Sequence, residues 1–154
     1  MGRIITLSKM EETKMRIYNY EIELFGKFLM ELELRGKESR MRTRLVRLLD
    51  EHVRLINQER FEIIDTYAKK DDNGEIEFQE VDGQKMFKIK DMENYKKEME
   101  ELMNEVFVID ETEERKEMLT TVANAVLNCD MLFKGEKALQ YDRWCEIVEQ
   151  ISYE

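Results

Sequence analysis

Residues 69–80 read KKDDNGEIEFQE, and the chain runs on as EIEFQEVDGQKMFKI over residues 75–89. The fold turns on whether this stretch is a calcium loop between two helices or a turn that opens a β-hairpin. An EF-hand loop places carboxylate or amide ligands at its first, third and fifth positions, glycine at the sixth and glutamate at the twelfth. With Gly74 at the sixth place, Asp71 and Asn73 fall on the third and fifth, Ile76 on the eighth and Glu80 on the twelfth. The first place falls on Lys69, whose ammonium has no lone pair to offer and repels a dication. The segment behind the loop is also wrong for an exiting helix. Ile76, Phe78 and Val81 alternate with Glu75, Glu77 and Glu80, a period of two. Asp82-Gly83 then supplies the positive φ pair that a type I′ turn needs, and Met86, Phe87 and Ile89 lie on the return. The stretch reads as a turn leading into a small β-hairpin over residues 75–89. It leaves an acidic projection of Asp71, Asp72, Glu75, Glu77, Glu80 and Asp82, which pairs with the protein's own arginines or faces a partner.

Outward from the hairpin, the pattern is helical. Leu45, Leu49, Ile56, Ile63 and Tyr67 mark one stripe of a helix over about residues 39–68. Upstream, Ser8 and Glu11 have capping-box spacing, and Tyr18, Ile22, Phe25, Leu29 and Leu32 recur at helical intervals. A first helix from Ser8 to Leu34, ended by Gly36, forms a long helical hairpin with the second. Downstream, Asp91 is an N-cap for a helix to about Val106, with Met92, Tyr95, Met99, Leu102 and Met103 on its apolar side. Val106 to Ile109 is β-prone and offers the hairpin a third strand. Asp110 with Glu113 opens a helix to about Phe133 through Met118, Leu119, Val122, Val126 and Leu127. Gly135 breaks it. A last helix, residues 137–151, carries Leu139, Tyr141, Trp144, Ile147, Val148 and Ile151. The expected fold is mainly α: one domain over residues 1–154, a bundle of about five helices with the β-hairpin inserted. Zero prolines and six glycines in 154 residues suit long helices.

Charge limits the function classes. Charged residues make up 39% and hydrophobic ones 42%, too apolar and periodic for a disordered chain. The net charge of −10 argues against a broad grip on nucleic acid, which needs a positive footprint. It suits solubility and basic protein partners, and it leaves nucleic-acid mimicry as a lesser reading. Against this background a basic run stands out: Arg35, Lys37, Arg40, Arg42, Arg44, Arg47 and Arg54. On a helix Arg40, Arg44, Arg47 and Arg54 share one face. Such a face docks an anion, an acidic partner or a nucleic-acid segment, or it pairs internally with acidic segments such as residues 71–82 or 98–105.

The marks of catalysis are missing from the sequence. His52 is the only histidine, with no zinc-ligand spacing around it, and it reads as a helix-surface or half-buried residue. There is no nucleophile elbow, glycine-rich phosphate loop or His-Glu helix motif. No cofactor is implied. Cys129 and Cys145 sit among Leu127, Met131, Trp144 and Ile147 and read as buried thiols in a reducing cytoplasm. The eleven methionines read mostly as core fillers. No apolar run is long enough for a membrane span, and MGRIITLSKMEE has too short an apolar segment for a signal peptide. Gly2 and Thr6 match the loose myristoylation pattern, which short sequences meet by chance.

Five blocks in order carry a family likeness: RGKESRMRTRLVRLLDEH at residues 35–52, KKDDNGE at 69–75, DMENYKKEMEELMNEVFVID at 91–110, MLTTVANAVLNCD at 118–130 and YDRWCEIVEQI at 141–151. Over about residues 15–151 the chain resembles a family of small proteins from tailed phages and prophages of Gram-positive bacteria, domain-of-unknown-function family 1617. The resemblance implies a phage origin and a setting in the host bacterial cytoplasm. It brings no activity to any residue. The expectation is a non-enzymatic phage accessory protein that binds a host or phage protein, with inhibition of a host antiphage defence system as the leading role. A virion, tail or assembly component, with a homo-oligomeric interface, is the alternative; a nucleic-acid mimic or nucleic-acid-binding accessory protein ranks below it, and a small enzyme or metal protein last.

Overall fold

In the computed structural model, residues 14–153 are described. Strand β1 (Lys14–Tyr18) leads through a single 3-10 turn (Asn19–Glu21) into α1 (Ile22–Glu31) and the long α2 (Gly36–Tyr67). The hairpin β2 (Phe78–Val81) and β3 (Gln84–Phe87) follows. Then come α3 (Met92–Met103), β4 (Val106–Asp110), α4 (Lys116–Leu127) and α5 (Glu136–Glu149). The protein is mainly helical, with two small antiparallel sheets, β1–β4 and β2–β3.

The N-terminal region differs from the expected long helical hairpin. Lys14–Tyr18 is a strand, in register with β4 from Lys14 opposite Asp110 to Tyr18 opposite Val106. Met15 and Ile17 point inward and are fully buried, while Arg16 and Tyr18 face out. Of the expected helical stripe only Tyr18 falls in this strand, and it faces out; the strand's buried side is the alternate pair Met15 and Ile17. Helix α1 is therefore only 10 residues long. The Ser8–Glu11 capping box and the Gly2 and Thr6 match lie outside the described residues. β4 pairs with β1 and does not extend the hairpin, and Asp110 ends a strand instead of capping a helix. In its place the Thr112 hydroxyl accepts from the Arg115 amide at the start of α4. Helix α4 stops at Leu127, six residues short of Phe133. Gly36, with φ of 49°, opens α2 where it was expected to close the preceding helix.

The hairpin has the predicted turn. Asp82 and Gly83 have φ of 51° and 79°, both positive as type I′ requires. Phe78 faces Phe87 across the strands with ring centroids 5.0 Å apart, and Lys85 Nζ lies 4.2 Å above the Phe78 ring. The base of the hairpin is laced to the end of α2. The Lys69 amide donates to Lys88 O at 2.8 Å, the Glu77 amide to Lys69 O at 2.8 Å and the Lys90 amide to Tyr67 O at 2.8 Å. The backbone that an EF-hand would send into a second helix is thus committed to strand-like pairing.

One apolar cluster holds the larger sheet and all five helices together, α3 through Leu102. Met15, Ile17 and Ile109 come from the sheet, Phe25 and Leu29 from α1, and Leu45 and Leu49 from α2. Leu119, Val122 and Val126 come from α4, and Trp144, Ile147 and Val148 from α5. Burying each such side chain contributes about 1.5–3 kcal/mol. Not every expected core position is buried: Leu139 is 75% exposed, and Leu127, Met92 and Tyr18 are also exposed. The methionines divide likewise, with Met15, Met41 and Met118 buried but Met30, Met86, Met92 and Met131 on the surface.

Two buried charged side chains fix helix ends. Glu21 accepts from Arg143 Nε at 2.7 Å and Nη2 at 3.0 Å, a bidentate pair that ties α5 to the start of α1. Arg42, 8% exposed, donates through Nη1 to Leu29 O at 2.8 Å and Leu32 O at 2.7 Å, and through Nη2 to Ser39 Oγ at 3.1 Å. A residue of the basic run is thereby the cap for the last carbonyls of α1. Among the described residues no helix is long and apolar enough to cross a membrane.

Candidate functional site

The long helix presents one continuous face to solvent. Arg40, Arg44, Arg47 and Arg54 all lie on it and all are exposed. They are there because the opposite side of α2, through Met41, Leu45, Leu49 and Ile56, is claimed by the core. Among the described residues none of the four arginines closes an ion pair. Their acidic neighbour is Glu117 at the start of α4. The Lys37 ammonium, hydrogen-bonded to it, and the Arg44 and Arg40 charges beyond hold the Glu117 carboxyl below the usual carboxylate range. The internal neighbour of the basic face is therefore neither residues 71–82 nor residues 98–105.

The face does not stop at Arg54. The same three- and four-residue steps continue through Gln58, Phe61, Glu62 and Asp65, all exposed. Phe61 is 57% exposed and Leu55, at the edge of the stripe, 47%. Sequence reasoning followed the arginines and missed this acidic, partly apolar half, although continuing the spacing would have found it. Beside it, Glu59 and Glu62 of α2 and Glu98 and Glu101 of α3, with Glu105, line a groove of about 300 Å³. The solvent side of α2 is thus basic in its first half and acidic in its second.

The acidic projection is spread out, not gathered into a site. Asp71 Oδ1 accepts from the amides of Asn73 and Glu75, each at 2.9 Å, so this carboxylate shapes its own turn. Glu77 lies between Lys69 at 3.8 Å and Lys88 at 3.7 Å, so its partners are lysines and not the arginines. Asp72, Glu75, Glu80 and Asp82 are exposed. Among the described residues no group of three or more His, Cys, Asp or Glu could hold a metal ion.

His52 is half-buried on the inner flank of α2. Its ring stacks on Phe107 with centroids 3.9 Å apart. Asn19 Nδ2 donates to Leu102 O, so Asn19 Oδ1 faces the imidazole at 3.0 Å and His52 Nε2 is the donor there. Burial lowers the His52 pKa, with the Glu59 and Glu105 charges pulling the other way. This ring acts as a packing and hydrogen-bonding group. Cys129 and Cys145 are half-buried and free, where full burial was expected. Burial pushes the Cys145 thiol up and the nearby Tyr141 hydroxyl to about 12. A raised thiol pKa lowers the thiolate fraction, which is opposite to what a nucleophile needs. A hollow of about 890 Å³ lies where α1 and α4 end. Its walls mix carboxylates and amides, such as Glu31, Glu33, Asp130 and Asn124, with apolar residues such as Leu32 and Met131.

Comparison of the chain with protein-family models, with curated proteins and with solved structures finds no match.

Proposed function

We propose that the protein works by binding another protein and that the solvent face of α2 is its contact surface. The observation that supports this is the row of exposed arginines, Arg40, Arg44, Arg47 and Arg54, on a chain whose net charge is −10. Arginine forks suit carboxylates, and a strip of them steers an acidic surface into register. On this reading the protein is not an enzyme and takes no cofactor. The resemblance to family 1617 alone supplies the setting: a phage accessory protein in the host cytoplasm that inhibits an antiphage defence system. The alternative in the same setting is a virion, tail or assembly component. Nucleic-acid mimicry and direct nucleic-acid binding rank below both.

The test is affinity capture from infected host cells with the wild-type chain and with Arg40→Glu/Arg44→Glu. The reading expects a stoichiometric protein that the variant loses while its helical circular dichroism is unchanged. Equal capture by both chains refutes the role of the face. Capture of phage structural proteins alone refutes the inhibitor version. Absence of the chain from purified virions by mass spectrometry refutes the virion-component version.

A further inference from the structure

The exposed stripe of α2 matches itself when turned end for end. It reads Arg40, Arg44, Arg47, Glu51, Arg54, Gln58, Phe61 with Glu62, and Asp65. Two antiparallel copies with a twofold axis at the level of His52 and Val53 bring Arg40 opposite Asp65 of the second copy. Arg44 then meets Phe61 and Glu62, Arg47 meets Gln58, and Glu51 meets Arg54. No position faces a like charge, and the two-fold symmetry makes every contact twice. Phe61 and Leu55 supply exposed apolar surface within the same strip. The arginine opposite Phe61 also suits a guanidinium stacked on an aromatic ring.

We propose that the chain forms an antiparallel homodimer through this face of α2. The inference rests on the reading of the face as a contact surface and names a second copy as the partner that fits it. A foreign acidic surface laid along the whole stripe would meet the arginines well but would repel Glu62 and Asp65. A second copy satisfies both halves. Asp65 already pairs with Lys70 of its own chain at 3.0 Å, and its side chain is 51% exposed, so it is free to take a second cation. From Arg40 to Asp65 the strip is about 37 Å long, and a helix pair packed about 10 Å apart buries only a narrow band along it. That sits at the low end of specific interfaces. The dimer is a micromolar, salt-sensitive association, and a foreign partner that uses the arginines has to displace the second copy.

Sedimentation velocity on the purified chain tests this, at tens to hundreds of micromolar and low salt. The wild type is expected to dimerise, with at least a tenfold weaker association in molar salt. Arg40→Glu/Arg44→Glu and Glu62→Arg/Asp65→Arg should each weaken self-association at least tenfold. Mixing the two variants should restore a heterodimer, because every end pair is then attractive again. As a check by a separate route, Glu51→Arg alone should weaken the dimer and adding Arg54→Glu in the same chain should restore it. A wild type that stays monomeric at hundreds of micromolar overturns the proposal. So does a dimer that the charge reversals leave intact, or reversed variants that mixing fails to rescue. The two readings fail separately. A monomeric wild type that captures a foreign protein lost in Arg40→Glu/Arg44→Glu ends the dimer and keeps the partner reading. A dimer rescued by mixing, with no foreign protein captured, does the opposite.

Discussion

Arg42 belongs to the basic run by sequence but to the core by position, and replacing it measures how much α1 depends on a cap supplied from α2. Its Nη1 bonds to Leu29 O and Leu32 O at 2.8 and 2.7 Å, and its Nη2 bonds to Ser39 Oγ at 3.1 Å. A hydrogen bond to a charged group contributes about 1.5–3 kcal/mol net, so the two carbonyl contacts together contribute about 3–6 kcal/mol. Against this stands the buried Nε, which has no partner among the described residues. Such an orphan costs about 1–3 kcal/mol. Arg42→Met, which keeps the stem and removes the fork, should therefore destabilise the protein by about 2–4 kcal/mol. For a chain of this size each kcal/mol moves the melting temperature by about 2–4 °C, giving a fall of about 5–15 °C. Arg42→Lys keeps one cationic head but loses the fork and should fall between the two. Urea unfolding followed by circular dichroism gives the free energy, with an unchanged m-value marking a pure stability effect. If Arg42→Met lies within about 0.5 kcal/mol of wild type, or above it, the refutation is clear. Desolvation of the guanidinium would then cancel its hydrogen bonds, as happens for some buried ion pairs.

Other expectations follow from the same geometry. Leu49→Ala empties a fully buried site between α2 and the rest of the core and should cost about 2–5 kcal/mol. Leu139→Ala, at a position 75% exposed, should stay within about 0.5 kcal/mol, both read by urea unfolding. Burial lowers the His52 pKa from its ordinary 6.5, so the folded state disfavours the imidazolium. The native chain then binds fewer protons than the unfolded one once pH drops to 6.5 and below. Stability is full above that pH and declines as pH falls from 6.5 through the lower folded value. Protonation occurs at Nδ1 and leaves the Nε2 bond to Asn19 intact, so the decline should be shallow. His52→Gln should flatten it between pH 7 and pH 5, and an equal slope in the variant would remove His52 as its source. Calorimetry with millimolar calcium should give no saturable heat, since Lys69 occupies the first ligand place and Asp71 is engaged by two amides. Saturable heat would return the loop to the EF-hand reading.

What could be read in advance depended on how local its cause was. The Asp82-Gly83 turn was legible because only a few residue pairs accept positive φ twice, and the structure has both. Helix α2 was legible because Leu45, Leu49 and Ile56 recur at helical spacing over a span with no proline. β1 was not, because KMRIY becomes a strand only through β4, about ninety residues later in the chain. Its alternation of Met15 and Ile17 overlapped the helical spacing of Tyr18, Ile22 and Phe25, and the longer pattern won. Arg42 was misplaced for a related reason. It was grouped with its charge, but it sits three residues before Leu45, on the buried stripe. The proposed contact face was half legible: its arginines form an obvious run, while Glu62 and Asp65 look ordinary in a chain this acidic.

The order of charges along α2 runs against the helix that carries it. A helix N-terminus carries partial positive charge and its C-terminus partial negative charge, so acidic residues suit the start and basic residues the end. α2 has Lys37, Arg40 and Arg44 in its first turns and Glu62 and Asp65 near its end, with no basic residue in its last turn. Only Glu38 follows the rule in the first turn. Misplaced charges of this kind cost about 0.3–1 kcal/mol each when they lie within the terminal turn. Local helix stability therefore does not account for the pattern, and exposed ion pairs within the chain contribute too little to account for it. Within the chain, Glu117 pairs with Lys37 in the first turn and Lys70 with Asp65 in the last, which leaves Arg40, Arg44 and Glu62 without such a partner among the described residues. An antiparallel second copy would relieve both ends at once, because it lays the acidic end of one helix beside the basic end of the other. On the dimer proposal the polarity of the stripe serves association, and charge reversal at one end should be felt as a loss of association and not as a loss of fold.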